Sequence, residues 1–308
     1  MRGNKLFKSK EETFFIKQRG IPKGCKYCLQ GAKTVLFLSG ICQNPPHCRW
    51  YCPISEVRKN KNLTYANEIL INSEEELLRE INVSRAKGMS ITGGDPLYEP
   101  NLEKTISYLK YIKKKKGSKF HVHLYTNGLN FDAHIAQRLS DAGLDEIRFN
   151  PPEQRWFAIE LALNNGLIAG AEVPIIPSQE YIAYLKRFIF YLDHIGAFFI
   201  NLNEFEMCVT NSEGLKDRGF NLKKGSIASV EGSREYALDL VKNLANNVSL
   251  KIHFCSVRSK DFWQLARRYL RRAKSIKKPY ESITDEGLLL FGQIETHDED
   301  LKNLYPII

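Results

Sequence analysis

The feature that most constrains the fold of this chain is a regular alternation of short hydrophobic runs with longer amphipathic stretches over residues 33–205. The runs are rich in β-branched and aromatic residues, as strands are, and the stretches between them carry apolar residues at helical spacing. Alternating strands and helices form βα units whose strands lie parallel in one sheet. Six such units with right-handed crossovers predict an α/β fold, a partial (βα)6 barrel of the TIM type.

The predicted strands are Lys33–Ser39, Met89–Ile91, Lys119–Tyr125, Glu146–Phe149, Ala169–Ile176 and Ala197–Asn203. The predicted helices are Asn67–Lys87, Pro100–Lys116, Phe131–Ala142, Gln154–Asn165 and Gln179–His194. After a polar stretch come a helix, a strand and a basic helix, over Glu235–Asn246, Val248–Phe254 and Lys260–Lys278. We therefore expect an N-terminal segment (1–32), a barrel (33–205) and a C-terminal α/β extension (206–308) docked on it.

The composition limits where the protein works and what it binds. No run of about 18 apolar residues occurs, and the first residues lack an apolar signal region, so we expect a cytoplasmic protein without a membrane span. In that compartment seven cysteines are more readily metal ligands or redox groups than disulfides. The formal net charge of +10 and the pI of about 9.1 favour acidic partners, including nucleic acid.

Three cysteines, Cys42, Cys48 and Cys52, follow the first predicted strand on a loop that contains two prolines. In a parallel barrel that position is the C-terminal face, where active sites gather. Three thiolates can hold a 4Fe–4S cluster and leave one iron open to a ligand that is not protein. A structural zinc site is the alternative, with His47 as its fourth ligand.

A glycine-containing turn, Thr92-Gly-Gly-Asp-Pro-Leu97, follows the next predicted strand. Paired glycines let a ligand approach the backbone, and amides and carbonyls there can hold a zwitterionic amino acid. Alone, such a turn is an ordinary connection between a strand and a helix. It points to a ligand site because it lies one βα unit after the cysteine loop.

Together these motifs resemble the radical S-adenosylmethionine superfamily, and in particular archaeal-type proteins related to pyruvate formate-lyase activating enzyme. The matching segments are Gly24–Gly40, Tyr51–Ser55, Tyr65–Glu68, Thr92–Leu97, Tyr125–Gly128 and Arg148–Pro151. The resemblance implies a 4Fe–4S cluster on the three loop cysteines, with S-adenosylmethionine chelating the open iron. It also implies these cofactor-binding residues: Tyr51, Gly93, Gly94, Asp95, Pro96, Thr126, Asn127, Asn150 and Glu172. The cysteine spacing, with five and then three intervening residues, is wider than the usual three and two.

Four further cysteines, Cys25, Cys28, Cys208 and Cys255, suffice for a second, fully ligated 4Fe–4S cluster or a zinc site. Two alternatives stay open. Cys208 and Cys255 are either small buried side chains or a pair that carries a methyl group, as in some radical methylating enzymes.

The substrate is suggested by the basic helix Lys260–Lys278, in which four arginines stand beside Trp263 and Tyr269. Such a helix can follow phosphates while its aromatic rings stack on bases, so we expect tRNA or another RNA as substrate. Radical modification or activation of a protein is the alternative, and a non-catalytic, metal-bearing RNA-binding module is a third. The radical mechanism also implies an external electron donor such as ferredoxin or flavodoxin.

Overall fold

A single large sheet organises the computed structural model, which describes residues 5–43 and 46–293. Its strands in chain order are β1 (Leu6–Lys8), β2 (Phe14–Ile16), β3 (Lys33–Phe37), β4 (Thr64–Ala66), β5 (Ile69–Ile71), β6 (Gly88–Thr92), β7 (His121–Thr126), β8 (Glu146–Phe149), β9 (Ile168–Ile175), β10 (Phe199–Glu204) and β11 (Lys251–Cys255). Strands β3 and β6 to β11 pair in parallel, and the antiparallel pairs β1–β2 and β4–β5 extend the two edges. The predicted α/β fold of the partial-barrel type is confirmed.

The helices are α1 (Lys23–Leu29), α2 (Glu74–Val83), α3 (Glu99–Lys116), α4 (Ala133–Asp141), α5 (Phe157–Asn164), α6 (Gln179–His194), α7 (Ser212–Lys216), α8 (Ser233–Leu244) and α9 (Ala266–Ile276). Side chains cap three of them: Ser73, Asp132 and Ser178 accept hydrogen bonds from backbone amides in the first turns of α2, α4 and α6. A two-stranded hairpin, β12 (Ser282–Ile283) and β13 (Leu289–Leu290), ends the described part.

The two faces of the parallel strands differ in chemistry. One face carries apolar side chains, such as Val122 and Leu124 of β7, that pack with the helices in the main hydrophobic core. Residues of the opposite parity are polar and buried, among them His121, His123 and Arg148. The main hydrophobic core therefore lies between the sheet and the helices, and the inside of the curved sheet is lined by side chains that form hydrogen bonds.

Two segments differ from the predictions. The helix expected from Asn67 begins only at Glu74, because Asn67 adopts a positive φ of 54° and turns the chain into the hairpin β4–β5. The strand near residue 250, placed by the sequence in the extension, pairs in parallel with β10 as a further strand of the same sheet. None of the described helices is long and apolar enough to cross a membrane.

Candidate active site

The three loop cysteines line one cavity of about 460 Å³, which we call the cluster cavity. Cys42 lies five residues after β3, and Cys48 and Cys52 flank a single helical turn over Arg49–Tyr51. Gly93 and Gly94, after β6, line the same cavity. The cavity thus lies at the carboxyl end of the parallel strands, as the sequence predicts.

The three thiols are close enough to influence one another. Burial raises the pKa of Cys42 and of Cys48 to about 12, and ionised Cys52 adds to both shifts. Burial also raises the pKa of Cys52. Three half-buried thiolates repel one another, and a metal centre that binds all three offsets this repulsion. His47 lines the neighbouring groove and not this cavity, which disfavours the mononuclear zinc alternative.

Gly93 and Gly94 bring the backbone of two loops into direct contact. Gly93 has a positive φ of 145°, and a Cβ atom at either position would collide with a backbone carbonyl oxygen, that of Ser39 or Ile41. The amide of Gly94 instead donates to Ser39 O over 2.7 Å. Only glycine permits this close approach, which fixes the chain leading into Cys42 against the wall of the cavity.

Asp95 is buried and serves as an anchor between loops. Its carboxylate accepts hydrogen bonds from the amides of Leu97 and Asn127, at 2.8 and 2.9 Å, and from the Thr126 hydroxyl at 3.1 Å. Burial nevertheless raises the pKa of Asp95 to about 6. Asp95 and Thr126 are thus hydrogen-bonded to each other. Pro96 O accepts a hydrogen bond from Thr105 Oγ1 over 2.7 Å. Asp95, Pro96 and Thr126 do not line the cluster cavity.

Asn127 reaches the cavity through Gln43, a residue that the sequence analysis missed. Gln43 Nε2 donates to Asn127 Oδ1 over 2.9 Å, and the Cys42 thiol donates to Gln43 Oε1 over 3.0 Å. Asn127 Nδ2 lies 3.9 Å from Cys42 Sγ. The position of Gln43, directly after the first loop cysteine, was the available signal.

Tyr51 and Asn150 form the wall between the cluster cavity and a second, larger groove. Asn150 Nδ2 donates to the Tyr51 hydroxyl over 3.0 Å, and both residues line both spaces. The groove has a volume of about 690 Å³. Its aromatic and arginine side chains are Trp50, Tyr51, Tyr181, Tyr184, Arg187, Arg218 and Phe220, and we call it the aromatic groove.

Glu172 belongs to a buried ionic network centred on Arg148, a second residue that the sequence analysis did not assign to a site. Arg148 donates to Glu172 over 2.6 Å and to Glu146 over 2.7 Å. Asn201 and Asn203 also donate to Glu172, over 2.9 and 3.0 Å. The Arg148 guanidinium lowers the pKa of Glu172 despite its burial. The same strand parity of Glu146 and Arg148 was the signal available in the sequence.

The four remaining cysteines lie in two regions of the described structure, and their binding of one common cluster stays a prediction. Cys208 lies on the loop after β10, with Sγ 4.0 Å from Pro53 O, and it raises the pKa of Cys52 when ionised. Cys25, Cys28 and Cys255 lie elsewhere, inside the curved sheet. Cys208 follows β10 at the carboxyl end of the parallel strands. Cys25 and Cys28 lie on α1, which packs against β3, β6 and β7.

The basic helix turns its arginines toward the protein, contrary to the expectation of an RNA-binding face. Arg267 donates to Leu29 O and to Glu11, and Arg271 donates to Ser84 O. Arg272 donates to both carboxylate oxygens of the buried Glu80 over 3.2 and 3.0 Å. The RNA expectation therefore loses one of its two supporting observations, and the net charge of +10 is the other.

Comparison with known proteins decides the family. The sequence profile of the radical SAM superfamily matches residues 15–152. A protein of Methanocaldococcus jannaschii, provisionally named a glycyl-radical enzyme activating enzyme, is 39% identical over 301 residues. That match covers 94% of this chain and 77% of the relative. This chain belongs to the radical SAM superfamily.

Other similarities are narrower. GTP 3′,8-cyclase of Corynebacterium glutamicum is 37% identical over 82 residues, which cover 25% of this chain and 22% of the cyclase. The crystal structure of HydG, a maturase of the [FeFe]-hydrogenase, superimposes with a TM-score of 0.50 at 11% identity, over 82% of this chain and 66% of HydG. The chain spans about half, 49%, of Streptococcus suis SuiB, whose TM-score is 0.47. The similarity to HydG is one of fold.

Membership of the superfamily makes this radical SAM protein an enzyme whose cofactors are a 4Fe–4S cluster and S-adenosylmethionine. The cluster cavity fits both cofactors in the chemistry of its walls. Three soft thiols line it together with the backbone of Gly93 and Gly94, which carries no side chain.

Proposed function

We propose that this radical SAM enzyme abstracts a hydrogen atom from a protein substrate and thereby activates it. Its Methanocaldococcus jannaschii relative is provisionally named a glycyl-radical enzyme activating enzyme. The similarity over nearly the whole chain to that activating enzyme carries the proposal. The position of the aromatic groove beside the cluster cavity supports it. The inward arginines of α9 supply no corresponding support for an RNA substrate.

Each wall of the cluster cavity has its own task in this proposal. Cys42, Cys48 and Cys52 hold the 4Fe–4S cluster, and the backbone at Gly93 and Gly94 holds the amino-acid end of S-adenosylmethionine. When bound and reduced, the two cofactors supply a 5′-deoxyadenosyl radical. The chain itself orients the donor of the hydrogen atom and keeps water out.

Several residues of the expected cofactor-binding set act as positioning residues in the proposed site. Asp95 and Thr126 fix the loop that carries Asn127, and Asn127 holds Gln43 beside Cys42. Asn150 holds the ring of Tyr51 at the wall of the cavity. Glu172 stays ionised against Arg148 and lines an adjoining cavity that shares Tyr51 and Asn150 with the cluster cavity.

The aromatic groove is the proposed entrance for the protein substrate. Trp50 stacks on Phe220, with centroids 6.1 Å apart, and meets Tyr51 edge to face at 5.0 Å. The Arg218 guanidinium lies 4.8 Å from the Trp50 ring. Tryptophan, tyrosine and arginine are enriched among the residues that contribute most to binding at protein interfaces.

The decisive experiment follows the hydrogen atom. Source cells are grown with glycine deuterated at the α carbon, and their protein extract is incubated with reduced enzyme and unlabelled S-adenosylmethionine. In the proposed reaction the 5′-deoxyadenosyl radical takes the α deuterium from a glycine residue, giving deuterated 5′-deoxyadenosine and a glycyl radical. We expect deuterium in the nucleoside by mass spectrometry and a protein radical by electron paramagnetic resonance. Transfer that disappears after nuclease treatment of the extract, and survives protease treatment, would contradict the proposal.

A further inference from the structure

Three of the cysteines gather inside the curved sheet, apart from the cluster cavity. Cys25 is buried on α1, its thiol donates to Asn201 Oδ1 over 3.5 Å, and Arg148 Nη2 donates to the sulfur over 3.5 Å. Cys28 follows one helical turn later on the same side of α1. Cys255 is buried at the end of β11 and accepts from Gln264 Nε2 over 3.3 Å.

Asn201 connects the two parts of this group. Its Oδ1 accepts from the Cys25 thiol and lies 3.3 Å from Nδ1 of His253, which precedes Cys255 by two residues on the same face of β11. The two cysteines of α1 therefore approach a third from the opposite edge of the parallel strands. The Cys-X-X-Cys pair and Cys255 are separated by more than 200 residues in sequence and meet only because β11 belongs to the sheet.

Cationic side chains lie beside these thiols. Arg148 Nη2 is 3.5 Å from Cys25 Sγ, and the same guanidinium pairs with Glu146 and Glu172. These contacts place positive charge where metal-bound thiolates would bring negative charge.

Two imidazoles in the same interior have a ring nitrogen without a partner among the described residues. These are His123 Nδ1 and His253 Nε2, in side chains that are 0% and 1% exposed. His253 Nδ1 lies 3.3 Å from Asn201 Oδ1, the atom that also accepts from Cys25. The unpartnered nitrogen of either ring can serve as a metal ligand. A buried nitrogen left unpaired is costly unless a ligand satisfies it.

We propose that Cys25, Cys28 and Cys255 bind a second iron–sulfur cluster inside the barrel, completed by His123 or His253, and that Cys208 is not a ligand. Sulfur donors select zinc, copper(I) or iron–sulfur centres. Within residues 5–43 and 46–293, no three histidine, cysteine or acidic side chains are arranged to hold one metal ion. A cluster needs no such convergence, because its ligands bind different iron atoms.

The test removes the first cluster and asks whether a second remains. The variant Cys42→Ala/Cys48→Ala/Cys52→Ala is purified and reconstituted without oxygen. Iron, zinc and acid-labile sulfide are then measured beside the visible absorption. We expect this variant to retain roughly half of the iron and sulfide of the wild-type protein, about four irons for a 4Fe–4S cluster. A variant without sulfide, or one that binds zinc in place of iron, would overturn the proposal.

A matched pair of variants identifies the ligands. In the same background, Cys25→Ala/Cys28→Ala should lose the remaining iron and sulfide, whereas Cys208→Ala should keep both. Circular dichroism shows whether the double variant folds. If it does not, Cys255→Ser, which preserves side-chain size, replaces it. Cys255→Ser should lose at least half of the remaining iron. Equal loss in Cys208→Ala, or full retention in Cys255→Ser, would refute the assignment. None of these readings requires cofactor cleavage, so they are independent of the proposed function.

Discussion

Asp95 shows how a residue at the active-site face can act without touching the cavity. Its side chain is nearly inaccessible and joins the turn after β6 to the turn after β7 through hydrogen bonds with Thr126 and the amide of Asn127. Asn101 Nδ2 strengthens the same junction by donating to Asp95 O and Ile41 O, over 2.7 and 2.9 Å. The carboxylate therefore positions two loops of the site.

The buried Asp95 should make stability depend on pH. Burial raises its pKa from 3.8 to about 6, so its favourable contribution is present below pH 4 and is lost as the pH rises through 6. At about 1.4 kcal/mol for each pKa unit, the loss is up to about 3 kcal/mol. Asp95→Asn removes this dependence. Urea unfolding of metal-free protein between pH 4 and 7 checks it, and a constant difference between the variant and the wild type across that range would contradict it.

Gly94 should not tolerate a methyl group. Gly94→Ala drives a Cβ atom into the Ile41 carbonyl next to Cys42, so we expect a loss of about 1–3 kcal/mol in unfolding free energy and weaker cofactor binding. Gly292→Ala is the control, because nothing lies within 4 Å of its Cβ position. Denaturant titration and equilibrium binding of S-adenosylmethionine measure the two effects. Equal results for the two variants would show that the contact does not matter.

At the scale of elements, helix α9 directs several of its arginine side chains toward the protein. These arginines contact Glu11 between β1 and β2, and the Leu29 carbonyl of α1. They also contact Glu80 of α2 and the carbonyl of Ser84 just after it. The helix therefore joins the C-terminal part of the chain to the N-terminal edge of the sheet. A basic amphipathic helix normally predicts a surface in contact with water or with phosphates, which is why the sequence misassigned this one.

Removing one of these contacts should cost stability. Arg272→Ala leaves the Glu80 carboxylate, 4% exposed, with Asn67 as its remaining partner, so we expect a loss of about 1–3 kcal/mol in unfolding free energy. Arg187→Ala breaks an exposed pair with Glu153 and should change stability by less than about 1 kcal/mol. Thermal or urea denaturation compares them, and a loss for Arg272→Ala no greater than that for Arg187→Ala would argue against a structural role for α9.

Periodicity predicted the parallel strands and most of the helices, since burial on one face imposes a regular spacing on each element. It failed at Asn67, where a residue with positive φ forms the turn of the hairpin β4–β5 and the helix begins only at Glu74. The loop cysteines and Gly93 were found because local motifs carry them. Gln43 and Arg148 were missed, because their partners are remote in sequence and only the fold brings them together.

At the scale of the whole molecule, the cysteines divide into three at the cluster cavity, three in the interior and Cys208 at the rim. The count of seven cysteines suggested ligand sets of three and four. A count cannot show that Cys208 lies beside Pro53, away from the interior cysteines. The net charge of +10 belongs to this scale too. It favours an acidic electron donor of the ferredoxin or flavodoxin type, which we propose as the partner.

Electron delivery by such a donor should depend on salt. We expect the rate of cofactor cleavage with an acidic flavodoxin to fall severalfold as the salt concentration rises from about 0.01 to 0.15 M, because screening weakens the attraction between opposite charges. Dithionite, a small reductant, is the control and should show a much weaker dependence. The rates follow from the 5′-deoxyadenosine formed over time, and identical salt profiles for the two reductants would exclude electrostatic steering.

The central claim, that Cys42, Cys48 and Cys52 carry the cluster that cleaves S-adenosylmethionine, is tested most directly by the formation of 5′-deoxyadenosine. Reconstituted protein is reduced without oxygen, supplied with S-adenosylmethionine, and analysed for the nucleoside by mass spectrometry. We predict product from the wild-type protein and from Cys208→Ala, and none from Cys48→Ala. Product from Cys48→Ala at the wild-type rate, or none from wild-type protein whose cluster is verified by spectroscopy, would contradict the account.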